Sequence, residues 1–127
     1  MYLVDTNIFI EVLLKQEKQE LCKKFLSTNI GKINISDFTL HSIGVILFRY
    51  DQADLFKRFV ADIIANASTP VLSLPQTMLL NVAQAKKDFN FDFDDAYQYT
   101  IAKHHGLKII TMDKDFQAVA SSDVMFL

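Results

Sequence analysis

Three aspartates stand at the ends of regular elements in this sequence. Asp5 closes the apolar run Tyr2-Leu3-Val4, Asp95 lies at the start of the helical stretch that ends at His104-His105-Gly106, and Asp113 follows Leu107-Lys108-Ile109-Ile110-Thr111. Acids at the ends of parallel neighbouring strands converge on one sheet edge, where open α/β folds place their ligands. Gathering carboxylates raises their proton affinity unless a cation sits among them, and hard oxygen donors select Mg²⁺ or Mn²⁺. Such a site activates water and neutralises charge at a phosphodiester, so the expected chemistry is metal-assisted phosphodiester hydrolysis. Each acid also has a local role open to it. Asp5 suits the cap of the helix that follows, Asp94 the cap of the later one with Asp95 adding charge at its positive end, and Asp113 to Asp115 an ordinary polar turn. Asp95 shares a helical face with Tyr99 and Ala102 and leans towards the sheet, as Asp94 does not; Asp92 is an outside choice. His41, His104 and His105 have no metal-ligand spacing with Cys22 and read as surface or cap residues.

The elements that must position these acids alternate along the chain. Residues 2–4 read as a strand, followed by a helical pattern from Ile8 to Leu14, a second helix to about Thr28, and a strand over Ile33-Asn34-Ile35-Ser36. Ser36 or Asp37 caps a third helix, from Phe38 to about Tyr50, on which Phe38, Ser42, Val45 and Arg49 form one stripe. Gly44 within it points to a close helix contact, because Gly inside a helix otherwise costs about 1 kcal/mol. A fourth helix, carried by Leu55, Phe59 and Ile63, ends near Ala67. Val71-Leu72-Ser73-Leu74 reads as a strand, Pro75 as the first turn of a helix reaching about Asp88, and residues 90–93 as a loop. After the strand at 107–111 come a brief helical turn and an edge strand at Val124–Leu127. The alternation predicts a single α/β domain over residues 1–127, a three-layer α/β/α sandwich with a mainly parallel sheet of four to five strands.

Composition narrows the function. The chain has 127 residues, a formal net charge of -2, one cysteine and eleven phenylalanines. Nothing in this balance attracts nucleic acid globally, so any contact with it must be local. The wide apolar stripes of the third and fourth helices point to a dimer or partner surface. No apolar run approaches the roughly 20 residues of a membrane span, and no basic segment opens a secretion signal; a cytoplasmic protein with no membrane contact is expected. A phosphate-signalling receiver would also gather strand-end acids, but Val71–Leu74 ends without an aspartate to accept phosphate.

The ordered set Val4-Asp5-Thr6-Asn7, Ile35-Ser36 leading into the third helix, Asp95-Ala96 with Ala102 and Gly106, and Ile110-Thr111-Met112-Asp113 with Asp115-Phe116 resembles the PIN-domain family. In size the chain is similar to the VapC-type toxins of type II toxin-antitoxin modules. The resemblance covers nearly the whole chain. It implies a PIN-like fold, a Mg²⁺-dependent endoribonuclease hydrolysing RNA phosphodiester bonds, frequent homodimers and a cognate antitoxin partner. It also implies Asp5, Asp95 and Asp113 as catalytic metal ligands, Asp115 as support, and Thr6 or Asn7 with Thr111 as groups that orient them. One departure stands out: Ser42 occupies the place in the third helix where the family usually has a glutamate. Serine supplies no charge, although its hydroxyl could hold a metal-bound water. The alternative function is therefore a catalytically impaired PIN-like module that binds RNA or protein through the same cleft.

Overall fold

The computed structural model describes residues 1–127. Strand β1 (Tyr2–Val4) leads through Asp5 into helix α1 (Thr6–Leu13), followed by α2 (Gln19–Thr28), β2 (Ile33–Ser36), α3 (Asp37–Arg49) and α4 (Ala53–Phe59). Then come β3 (Val71–Leu72), α5 (Leu79–Phe89), α6 (Phe93–His105), β4 (Lys108–Thr111) and β5 (Val124–Phe126). The five strands form one sheet in the order β3-β2-β1-β4-β5, and every pairing is parallel. The expected sandwich is therefore present with all strands parallel.

The three central strands, β2, β1 and β4, are short and nearly fully buried because helices cover both faces, as parallel sheets require. Alternation along each strand splits the core in two. Leu3 and Ile109 pack with Val82, Ala96 and Ile101 from α5 and α6, whereas Val4 and Ile110 pack with Ile8, Phe9, Ile43 and Leu47 from α1 and α3. Cys22 is buried in the second cluster as a small apolar group. Gly44 does permit a close approach: a Cβ there would lie 3.3 Å from two ring carbons of Phe56 on α4.

Four expectations about elements need correction. The fourth helix is not uniform: α4 ends at Phe59 and continues as a wider-wound segment, Val60–Asn66, closed by the bond from Ala67 N–H to the Asp62 carbonyl. The strand expected to reach Leu74 stops at Leu72, because Leu74 N–H donates to the Tyr97 hydroxyl instead of to a neighbouring strand (3.4 Å). Pro75 is extended rather than helical and precedes a tight turn, Gln76–Met78, before α5 begins. Finally, α6 starts at Phe93, so its N-cap residue is Asp92 and Asp94 falls inside the first turn.

Candidate metal centre

Asp5 follows β1, and Asp113 lies just beyond β4, the strand that pairs with it. Asp95 reaches the same edge from the first turn of α6. Asp5, Asp95 and Asp113 line one cleft of about 720 Å³ together with Thr6, Asn7, Asp94 and Gln98. One carboxylate oxygen from each of Asp95, Asp113 and Asp115 lies within 4.8 Å of the others, with Asp115 beside the cleft rather than in its lining. Asp5 stands outside that tight group, in the same cleft. Asp115, expected as a supporting residue, is an exposed member of the group.

Asp5 and Asp113 also perform the local roles open to them. Asp5 is the N-cap residue of α1 and accepts from Thr6 N–H at 2.8 Å; Asp113 accepts from Asp115 N–H at 2.9 Å in the turn after β4. Capping does not exhaust Asp5, which is only 7% exposed. Its Oδ1 also accepts from Gln98 Nε2 (3.2 Å), and its Oδ2 accepts from Thr111 Oγ1 (2.7 Å) and Asn7 Nδ2 (3.3 Å). Asn7 Nδ2 also reaches Thr111 Oγ1, and Met112 N–H donates to Asn7 Oδ1. Asp113 N–H donates to Thr111 Oγ1. Thr6, Asn7 and Thr111 thus fix the carboxylate after β1 relative to the one after β4.

Two polar residues not anticipated from sequence complete this network. Gln98, one helical turn after Asp95 and only 2% exposed, donates to Thr39 Oγ1 at 2.7 Å as well as to Asp5. Thr39, buried on α3, also accepts from the Thr6 hydroxyl at 3.0 Å. The Gln98 Oε1 atom is buried without a partner. A signal for both existed in their spacing, because Gln98 shares the inward face of Asp95 and Thr39 lies one turn before Ser42. Ser42 itself is half-buried and lines the cleft beside His41, which is exposed.

The electrostatics are those of crowded, desolvated acids. Burial raises the proton affinity of Asp95, and the neighbouring charges of Asp94, Asp113, Asp5 and Asp115 raise it further, to a pKa of about 8. Burial also pushes Asp5 above the usual carboxylate range, against the pull of its hydrogen bonds from Thr111, Gln98 and Thr6. Carboxylates held together at this cost fit a divalent cation, which removes both the repulsion and the desolvation penalty. The donors at the cluster are all oxygens, with no histidine or cysteine among them, and that set suits Mg²⁺ or Mn²⁺ rather than zinc.

An all-parallel sheet with an acidic cleft at its strand ends defines an α/β protein of the PIN type. A sequence model of the PIN domain matches residues 2–122, and the chain belongs to the PIN-domain family. Solved structures share its fold. A toxin-antitoxin complex from Klebsiella pneumoniae superposes with a TM-score of 0.77 at 22% identity, covering 98% of this chain and 96% of that one. VapBC2 from Rickettsia felis, bound to a DNA fragment from its promoter, gives 0.79 at 11% identity, with 99% and 98% covered. FitAcB from Neisseria gonorrhoeae gives 0.74 at 21% identity, with 100% and 96% covered. No curated protein matches the chain significantly in sequence. No helix is long and apolar enough to cross a membrane.

Proposed function

We propose that this chain is a divalent-metal-dependent endoribonuclease, acting as the toxin of a toxin-antitoxin pair. Its ligands to Mg²⁺ or Mn²⁺ would be Asp5, Asp95 and Asp113, with Asp115 beside them. The observation that carries this reading is the carboxylate group itself: buried Asp95 lies within 4.8 Å of Asp113 and Asp115, in a cleft shared with Asp5. When bound, the cation would supply a more acidic water and neutralise charge on an RNA phosphodiester. The protein's own contribution is orientation. Thr6 N–H, Thr111, Asn7 and Gln98 hold both oxygens of Asp5 in place, and Thr111 links Asp5 to Asp113 through the Asp113 N–H. Ser42, lining the same cleft, is placed to hydrogen-bond a water there, but it adds no negative charge.

The neighbouring toxin-antitoxin structures support a protein antitoxin as partner. Exposed Val45, Phe48 and Tyr50 on and just after α3 leave apolar surface for such a partner or for a homodimer. A cytoplasmic location fits this role. The serine at position 42 favours a second reading, a PIN fold that binds RNA without turning it over.

Calorimetric titration with MnCl₂ and RNA cleavage assays on native protein and Asp5→Asn separate the two. A nuclease binds the metal, cleaves RNA only with it, and loses cleavage in the variant. Absence of metal-dependent cleavage across structured and unstructured RNAs overturns the enzyme reading in favour of the binding module.

A further inference from the structure

Asp5 is fully occupied by the protein itself. Its Oδ1 accepts from Thr6 N–H at 2.8 Å and from Gln98 Nε2 at 3.2 Å, and its Oδ2 accepts from Thr111 Oγ1 at 2.7 Å and from Asn7 Nδ2 at 3.3 Å. An ionised carboxylate has about four lone-pair positions, so two donors on each oxygen leave none for a cation. For Asp5 to join Asp95, Asp113 and Asp115, from whose tight group it stands apart, one donor must let go. Thr6 N–H is fixed in the backbone of α1, Thr111 makes the shortest of the four bonds, and Asn7 is tied a second time through Met112 N–H. Gln98 holds Asp5 by one long bond from the end of a flexible side chain.

Gln98 also carries the unmet polar atom of the site. The side chain is 2% exposed and lines the cleft, and its Oε1 is buried with no partner. A buried acceptor without a donor bears an uncompensated desolvation penalty. A half-turn about the terminal bond of the side chain, a soft two-fold torsion, exchanges this oxygen with Nε2. The oxygen then stands close to where Nε2 is now, 2.7 Å from Thr39 Oγ1 and 3.2 Å from Asp5 Oδ1. Both separations suit an oxygen. The one to Thr39, 2.7 Å, is the usual length of an O–H···O bond and short for N–H···O. Thr39 Oγ1 accepts both of its present bonds, from Gln98 and from Thr6, so its own hydrogen is free to donate. As for Asp5, two oxygens bound side by side on one six-coordinate Mg²⁺ lie about 3 Å apart; without a cation the same pair repels.

We propose that Gln98 is a metal-linked switch and a further oxygen donor of the cleft: without a cation its amide nitrogen occupies Asp5 Oδ1, and with one the amide turns over, frees that oxygen and presents Oε1 beside it, held by the Thr39 hydroxyl. A neutral oxygen adds a ligand without adding to the repulsion among the acids. This rests on the divalent-cation reading of the cleft, but it concerns the amide and is tested on binding alone.

The Gln98 amide reports its own orientation. In isotope-labelled protein, nuclear Overhauser contacts between the Gln98 amide hydrogens and the Thr39 side chain are expected in chelator and should vanish at saturating MgCl₂, with the Gln98 side-chain carbonyl carbon shifting over the same titration. Calorimetry with MnCl₂ supplies a second reading. Gln98→Met, which keeps the length of the side chain and removes both polar atoms, should weaken binding about 10- to 100-fold. Gln98→Glu, which keeps an oxygen but has no hydrogen to give Asp5, should bind at least as tightly as native protein. Overhauser contacts unchanged at saturation, or Gln98→Glu binding as weakly as Gln98→Met, overturn the proposal; alongside metal-dependent RNA cleavage by native protein they remove this inference alone. An amide that turns over on Mg²⁺ in a protein that cleaves no RNA leaves this inference standing and removes the nuclease. No binding of either metal to native protein removes both.

Discussion

At the scale of single residues, the identity of position 42 bears on how strongly the cleft would hold the proposed cation. Ser42 is half-buried on the cleft wall, one turn beyond the buried Thr39. A carboxylate there would join acids whose charges, added to the larger effect of burial, already lift Asp95 to a pKa of about 8. Ser42→Glu is therefore expected to destabilise the metal-free protein slightly and to tighten Mn²⁺ binding about tenfold, the equivalent of about 1.4 kcal/mol. Calorimetry reads both changes against native protein, and an unaltered dissociation constant would mean that position 42 does not face the cation. The acids themselves were legible in sequence, because Asp5 and Asp113 follow short apolar strands and Asp95 falls on the inward face of its helix. Asp115 was harder to place: the turn after β4 folds back, with Asp115 N–H on Asp113 Oδ1, and carries its carboxylate into the cluster.

At the scale of elements, α1, α3 and α6 are pinned together by the Thr39 hydroxyl. It accepts from Thr6 on α1 and from Gln98 on α6, while Gln98 also steadies Asp5. Thr39→Val keeps the shape of the side chain and removes this acceptor, leaving the Thr6 hydroxyl without it and Gln98 Nε2 with Asp5 alone. The expected loss is about 1–3 kcal/mol in urea unfolding, with weaker Mn²⁺ binding as Asp5 loosens; Thr39→Ser should recover most of both. A Thr39→Val protein as stable as native would show that this junction contributes little. Local periodicity could not have revealed the junction, since Gln98 is 59 residues from Thr39 and 93 from Asp5. What periodicity carries is the element itself: α3 and α6 were readable from spacing, caps and Gly106, which ends α6 in the left-handed conformation. It failed where tertiary hydrogen bonds override the local pattern, as at Leu74, whose N–H turns to Tyr97.

At the scale of the whole molecule, the buried acids tie folding stability to pH and to metal. The carboxyl of Asp95 has a pKa of about 8 in the folded chain against an ordinary 3.8. Between those values the folded state binds more protons than the unfolded state, so stability falls as pH rises through this window and levels off above it. Each unit of such a window is worth about 1.4 kcal/mol at full effect. Asp95→Asn removes the ionisation and is expected to exceed metal-free native protein at pH 8 by at least about 1 kcal/mol, several degrees in Tm. At pH 5 the two should differ far less, because native Asp95 is then protonated. Divalent metal should act in the opposite sense: Mg²⁺ at a hundred times its dissociation constant adds about 2.7 kcal/mol to native protein at pH 8. It should add much less to Asp95→Asn, which lacks one of the proposed ligands. Thermal melts over pH 5–9, with chelator and with Mg²⁺, measure all of these differences together. Parallel pH profiles for the two proteins in chelator would show that Asp95 does not carry the folding penalty assigned to it. An equal Mg²⁺ response in both would place the cation elsewhere.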